Sequence, residues 1–111
     1  MKMPLVIVES PFSGDVESNL RYLRAAMRDC LMRGEAPFAS HGLYTQEGVL
    51  NDDVPGERAH GMEAGFAWGA VADRVAVYTD RGVTRGMEAG IARHRERGVP
   101  VEYRTLGEAK L

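Results

Sequence analysis

The chain has a single cysteine, Cys30. No internal disulfide can form, and a reducing compartment is the expectation. It has no apolar run near the roughly 20 residues that cross a membrane as a helix. Met1-Lys2-Met3-Pro4-Leu5 leads straight into a short apolar segment without a cleavage-type flank. These absences point to the cytoplasm and away from a membrane partner. No block of one charge is present either: 14 basic and 16 acidic residues alternate and leave a formal charge of -2. Duplex DNA or RNA is bound by concentrated positive surface, so a nucleic acid polymer is not an expected partner. The Gly-x-Gly-x-x-Gly run of dinucleotide-binding enzymes does not follow the first apolar segment. His60 and His94 have no cysteine or second histidine at ligand spacing. Neither a cofactor nor a metal is expected.

What remains is the composition of an ordinary globular domain, 44% apolar and 27% charged over 111 residues. One core and one domain, residues 1–111, are expected. Leu5-Val6-Ile7-Val8 is a β-branched run closed by Ser10-Pro11 and Ser13-Gly14, which predicts a buried strand ending in a turn. Val16, Leu20, Leu23, Met27, Cys30 and Leu31 form a one-sided helical stripe, with Asp15 as its cap and Gly34 at its end. Ala36-Pro37-Phe38-Ala39 reads as a second strand. His41 to Val54, with Gly42, Gly48 and Asn51-Asp52-Asp53, reads as a loop with at most one helical turn. Met62, Gly65, Phe66 and Gly69 mark one face of a helix after Pro55-Gly56, its glycines suggesting close packing on a sheet. Asp73 to Tyr78 is a third strand, Thr84 to Arg97 a last helix ended by Gly98, and Val99 to Tyr103 a fourth strand. Alternation of short strands with helices predicts an α/β fold, a flavodoxin-like or Rossmann-like three-layer sandwich on a four- to five-stranded parallel sheet.

In such a sheet, ligands sit outside the carboxyl ends of the strands, where loops and helix N-termini converge. The first strand delivers Glu9, Ser10, Phe12, Ser13 and Gly14 to that edge, the second Ser40, His41 and Tyr44, and the third Tyr78, Asp80, Thr84, Gly86, Met87 and Glu88. Carboxylates, hydroxyls and aromatic rings together suit a sugar carrying a flat base. The Ser13-Gly14 and Arg85-Gly86 turns each feed a helix whose amide end attracts anions. Either glycine also serves a plain tight turn. Glu88, about one turn into the last helix, can attack an anomeric carbon, and Asp80 at the strand exit can assist departure of the base. Read without further context, Glu88 is a solvated helix glutamate beside Arg85, and Asp80 an ordinary turn aspartate. Asp52 and Asp53 are a further source of acid or a helix cap. Gly61-Met62-Glu63-Ala64-Gly65 repeats Gly86-Met87-Glu88-Ala89-Gly90, but only Glu88 follows a strand and a glycine turn. Glu63 is therefore the expected surface residue.

The string from Val6 to Asp15, Val-Ile-Val-Glu-Ser-Pro-Phe-Ser-Gly-Asp, followed by Asn19, resembles the opening of nucleoside 2-deoxyribosyltransferase-like proteins, a superfamily with small phage and bacterial members of unknown function. Gly34 to His41 is similar to that group's second-strand segment. Thr84-Arg85-Gly86-Met87-Glu88-Ala89-Gly90-Ile91-Ala92 resembles its Ser/Thr-x-Gly-x-Glu-x-Gly-x-Ala signature, with Arg85 as a departure. The resemblance implies a flavodoxin-like fold, a deoxyribose pocket at the strand ends, Glu88 as nucleophile and a homodimer or higher homo-oligomer whose neighbour helps close the site. It also implies that Thr84 and Gly86 bind a 5′-phosphate, with the first-strand turn lining the same pocket. The expected activity is cleavage of the N-glycosidic bond of a nucleoside or nucleoside 5′-monophosphate, or its transfer to another base. The expected ligand residues are Ser10, Phe12, Ser13, Gly14, His41, Tyr44, Thr84, Gly86 and Met87. The alternative is a catalytically silent module that binds and sequesters a nucleotide.

Overall fold

The computed structural model describes residues 2–107. Its elements run β1 (Leu5–Glu9), α1 (Val16–Met32), β2 (Ala36–Phe38), α2 (Ser40–Leu43), α3 (Pro55–Gly69), β3 (Arg74–Tyr78), α4 (Arg85–Glu96) and β4 (Val101–Arg104). The four strands form one sheet in the order β2-β1-β3-β4, and every pairing is parallel. The chain is thus an α/β three-layer sandwich of the flavodoxin-like kind, its strand order reversing direction at β1.

The residues that build these elements are those expected to. Asp15 caps α1 by accepting a hydrogen bond from the Ser18 amide at 3.1 Å. Gly34 then takes φ +81, a backbone shape that favours glycine, as the chain leaves the helix. Thr84 Oγ1 caps α4 by accepting from the Met87 amide at 3.2 Å. The sheet separates two apolar layers. On one face, Val6, Val8, Ala76 and Tyr78 pack with Tyr22, Leu23, Ala26 and Cys30 of α1; on the other, Ile7, Val75 and Val77 pack with Met87 and Ile91 of α4.

The α1 face is tied together by charge as well. Arg104 Nη1 and Nη2 donate to the two carboxylate oxygens of Glu35 at 2.8 and 2.7 Å, and both residues are buried. Arg74 reaches the same carboxylate at 3.0 Å. These donors outweigh burial and hold the Glu35 carboxyl below the usual glutamate range.

Helix α3 differs from its neighbours. Gly61, Gly65 and Gly69 lie along one stripe of it, but the stripe does not face the sheet as expected. An added Cβ would meet Leu50 at Gly61, Ser40 at Gly65 and the His94 ring at Gly69. The glycines therefore draw α3 against the α2 segment and α4, and a hollow remains over the ends of β1 and β2. Among the described residues, no helix is long and apolar enough to cross a membrane.

Candidate functional site

That hollow is a cavity of about 320 Å³, within the usual size of a small-molecule site. Ile7, Val8, Glu9 and Ser10 of the β1 exit form one wall; Phe38, Ser40 and His41 continue it from β2 into α2. Met62, Gly65 and Phe66 of α3 face Thr84, Arg85, Gly86, Met87, Gly90 and His94 of α4 and its cap. Phe12, Ser13, Asp52 and Arg58 stand around the entrance. The inner residues Ile7, Phe66, Met87 and His94 are buried, whereas Arg58 and Arg85 are exposed. The cavity is apolar at its floor, and charged groups, Arg58, Arg85 and Asp52, stand at its mouth.

Glu9 is the outstanding group. It ends β1 opposite Val77, with its carboxyl against Gly90, where an added Cβ would lie 2.6 Å from Oε2. No hydrogen bond or ion pair links the Glu9 carboxyl to another described residue. Burial without a compensating donor raises its pKa to about 8, so the carboxyl is mostly protonated at neutral pH. Nearby, Ser10 Oγ and His41 Nε2 are 2.8 Å apart, and the Phe12 ring meets the imidazole edge-on at 6.5 Å. Burial lowers His41 to about 4, which keeps its ring neutral. Asp52 lies 3.7 Å from the Arg58 guanidinium, and Arg58 lies 3.8 Å from where a Cβ of Gly86 would stand. The entrance therefore gathers Arg58, Arg85 and the amide end of α4, an arrangement that favours an anionic group.

Of the ligand residues expected from the sequence, Ser10, Phe12, Ser13, His41, Thr84, Gly86 and Met87 line the cavity. Gly14 does not; it turns the chain at φ +99. Tyr44 lines a smaller adjoining depression instead, because its hydroxyl accepts a hydrogen bond from Trp68 Nε1 at 2.9 Å.

Both expected catalytic residues stand elsewhere. Glu88 is exposed and lies outside the cavity lining. Each step along a helix turns the side chain by about 100°, and on α4 the buried face is held by Met87, Gly90, Ile91 and His94. Asp80 is committed to the opposite layer. Its carboxylate accepts from the Tyr22 hydroxyl at 2.6 Å and from the Leu106 and Gly107 amides at 3.0 and 3.3 Å. Burial pushes its pKa up, but these hydrogen bonds outweigh it and the net shift is downward, which makes Asp80 a poor proton donor. The carboxyl that lines the cavity at the exit of a buried strand is Glu9, at the edge where a parallel sheet holds its ligands. Glu63, the counterpart of Glu88 in the repeated string, is a surface residue paired with Arg93 at 2.6 Å. Among the described residues, no group of three or more His, Cys, Asp or Glu is placed to hold a metal ion.

No curated protein matches the chain. A family model described as a domain of unknown function (DUF7768) matches residues 4–104, nearly the whole described fold and every wall of the cavity, and the chain belongs to that family.

Proposed function

We propose that this cavity binds a nucleoside or nucleoside 5′-monophosphate and cleaves its N-glycosidic bond, with Glu9 as the proton donor expected of Asp80 and water in place of Glu88 as the nucleophile. The observation that carries the reading is the Glu9 side chain: a carboxyl without a hydrogen-bond or ion-pair partner, set against Gly90 inside a ligand-sized cavity, where burial raises its pKa to about 8. Such a group is suited to general acid work, since proton donors operate best with a pKa near the working pH. The Glu9 proton passes to the departing base as the bond between C1′ and the base nitrogen breaks, and the bonding pair leaves with the base. Water adds to C1′ and gives a proton to the Asp52 carboxylate, and that proton, passed on through solvent, restores the acid form of Glu9. The products are a free base and a free sugar. If the nitrogen of a second base takes the place of water, the same steps give transfer. Arg58 and Arg85 at the entrance are positioned to favour a 5′-phosphate over a bare hydroxyl.

The reaction is tested by incubating the protein with the four 2′-deoxynucleosides and their 5′-monophosphates, with and without an acceptor base, and following free base by chromatography. Glu9→Gln is expected to lower turnover by about a hundredfold or more, while Glu88→Ala stays within about twofold. Turnover that survives Glu9→Gln and disappears in Glu88→Ala would restore the nucleophile implied by the family resemblance. A second reading is favoured by the exposure of Glu88 itself: a cavity without the superfamily's nucleophile suits a module that holds a nucleotide without breaking it. In that case calorimetry finds binding, and the ligand is recovered intact.

A further inference from the structure

His94 sits in α4 with about 1% of its surface exposed. It lines the inner end of the cavity. Its Nδ1 is buried without a hydrogen-bond partner and is walled off by Gly69 of α3; Nε2, farther from Gly69, makes no hydrogen bond to another described residue either. An unsatisfied buried polar group is costly, so native interiors hold few of them. Nothing in the packing needs a nitrogen there. The ring meets Phe66 edge-on at 5.4 Å and rests on Gly69, contacts that a phenylalanine would also make. Burial, then the charges of Arg97 and Arg93, lower its pKa, and the neutral ring presents one donor and one acceptor.

Thr84 and His94 lie about three turns apart on α4, roughly 15 Å along its axis. The charged entrance is at the first and the apolar floor at the second, with Glu9 between them against Gly90. We infer that the inner end of the cavity is a subsite for a flat heterocycle, whose edge is read by Nε2 of His94. The ligand then enters with its heterocycle innermost between α3, α4 and the sheet, and with its polar end at Arg58 and Arg85. Identification of the heterocycle as a nucleobase rests on the N-glycosidic reading above; the subsite itself does not. His94 is a specificity-determining residue here, because a ligand lacking the complementary donor or acceptor leaves Nε2 unsatisfied in an apolar floor.

The experiment uses protein carrying ¹⁵N-histidine, in native form and as Glu9→Gln so that bound nucleosides persist. The probes are the four 2′-deoxynucleosides, and 2-deoxyribose 5-phosphate is the control without a heterocycle. The nucleoside that binds best is expected to move the ring ¹⁵N resonances of His94, and the control to leave them in place. By calorimetry, His94→Phe, which keeps the ring and removes both nitrogens, is expected to weaken that nucleoside tenfold or more and to leave the control unchanged. Should His94→Phe fold poorly, the resonance titration of the native protein decides alone. Binding with the His94 resonances unmoved, or no binding by any nucleoside, overturns the inference. Binding that moves His94 without any cleavage overturns the N-glycosidic reading and leaves the heterocycle subsite standing. Cleavage with His94 unmoved does the reverse.

Discussion

Glu9 and His41 share a wall of the cavity and pull the pH dependence of stability in opposite directions. Glu9 titrates at about 8 in the folded protein and near 4.5 when exposed. Between those values the folded state keeps a proton that the unfolded chain has lost, so stability falls as pH rises. His41 titrates at about 4 folded and 6.5 when exposed. Between those values the unfolded chain holds the extra proton, so stability rises with pH. The slopes oppose each other below about 6.5, and above it the slope of Glu9 is left alone. The melting temperature of the ligand-free protein is expected to drop from pH 6.5 to 8, and Glu9→Gln to abolish most of that drop. An equal drop in both proteins would show that Glu9 is solvated. Glu9 is legible in the sequence as a strand-end carboxylate, but the resemblance of Thr84 to Ala92 to a deoxyribosyltransferase-like signature draws attention to Glu88 instead. Helical phase shows that Glu88 does not face the cavity: Met87, Gly90, Ile91 and His94 make the inward stripe of α4, and Glu88 falls off it. Asp80 is not legible as a structural residue, because its partners Tyr22 and Leu106 come from distant parts of the chain.

Elements with a strong local pattern are those that the sequence specifies best. β1 and β3 follow from β-branched runs, and α1 and α4 from their apolar stripes and caps. β4 begins at Val101, two residues later than the apolar run suggests, because Pro100 has no amide to give the ladder and contributes only its carbonyl, to Val75. The four residues of α2 are too few for a periodic signal. The glycines of α3 and α4 signal close approach, but what approaches them is set by the tertiary fold. Two of them make opposite predictions. An alanine at Gly90 would press on the far end of the flexible Glu9 side chain, 2.6 Å from Oε2, while removing a helix-interior glycine worth about 0.8–1 kcal/mol. Gly90→Ala is expected to melt no lower than the native protein at pH 6.5, yet to lose the proposed cleavage and flatten the fall above that pH, since Glu9 is moved from its burial site. At Gly69 the alanine would lie 2.5 Å from His94 Cε1 and 2.7 Å from Nδ1, on a ring packed against Phe66. Gly69→Ala is expected to destabilise by about 1–3 kcal/mol in urea unfolding. Equal effects at the two glycines would mean that the helices yield freely.

For the molecule as a whole, the two faces of the sheet do different work. The α4 face is hollowed where α3 stands on glycines, and it carries a carboxyl and an imidazole with no partner among the described residues. The α1 face is closed, and its charges are satisfied: Glu35, next to β2, joins Arg104 at the end of β4 and Arg74 at the start of β3, so that one carboxylate links both edges of the sheet. Tyr78 adds its hydroxyl, donating to Asp29 at 2.8 Å. A hollow face is tolerable when the opposite face resists local opening. Removing one member of a buried ion pair strands the other, typically at about 3–5 kcal/mol, so Glu35→Ala should lower stability by that order in denaturant unfolding at pH 7. Replacing both partners with apolar residues of similar volume, Glu35→Leu with Arg104→Met, should recover part of the loss, because no stranded guanidinium is left. The carboxyl of Glu35 is held below its usual range, so its contribution is present above about pH 4.5 and disappears as pH falls through the folded value. Native protein should therefore lose stability below pH 4.5 more steeply than Glu35→Ala does. Parallel acid curves for the two proteins would place the strength of the α1 face in its apolar packing and not in this pair.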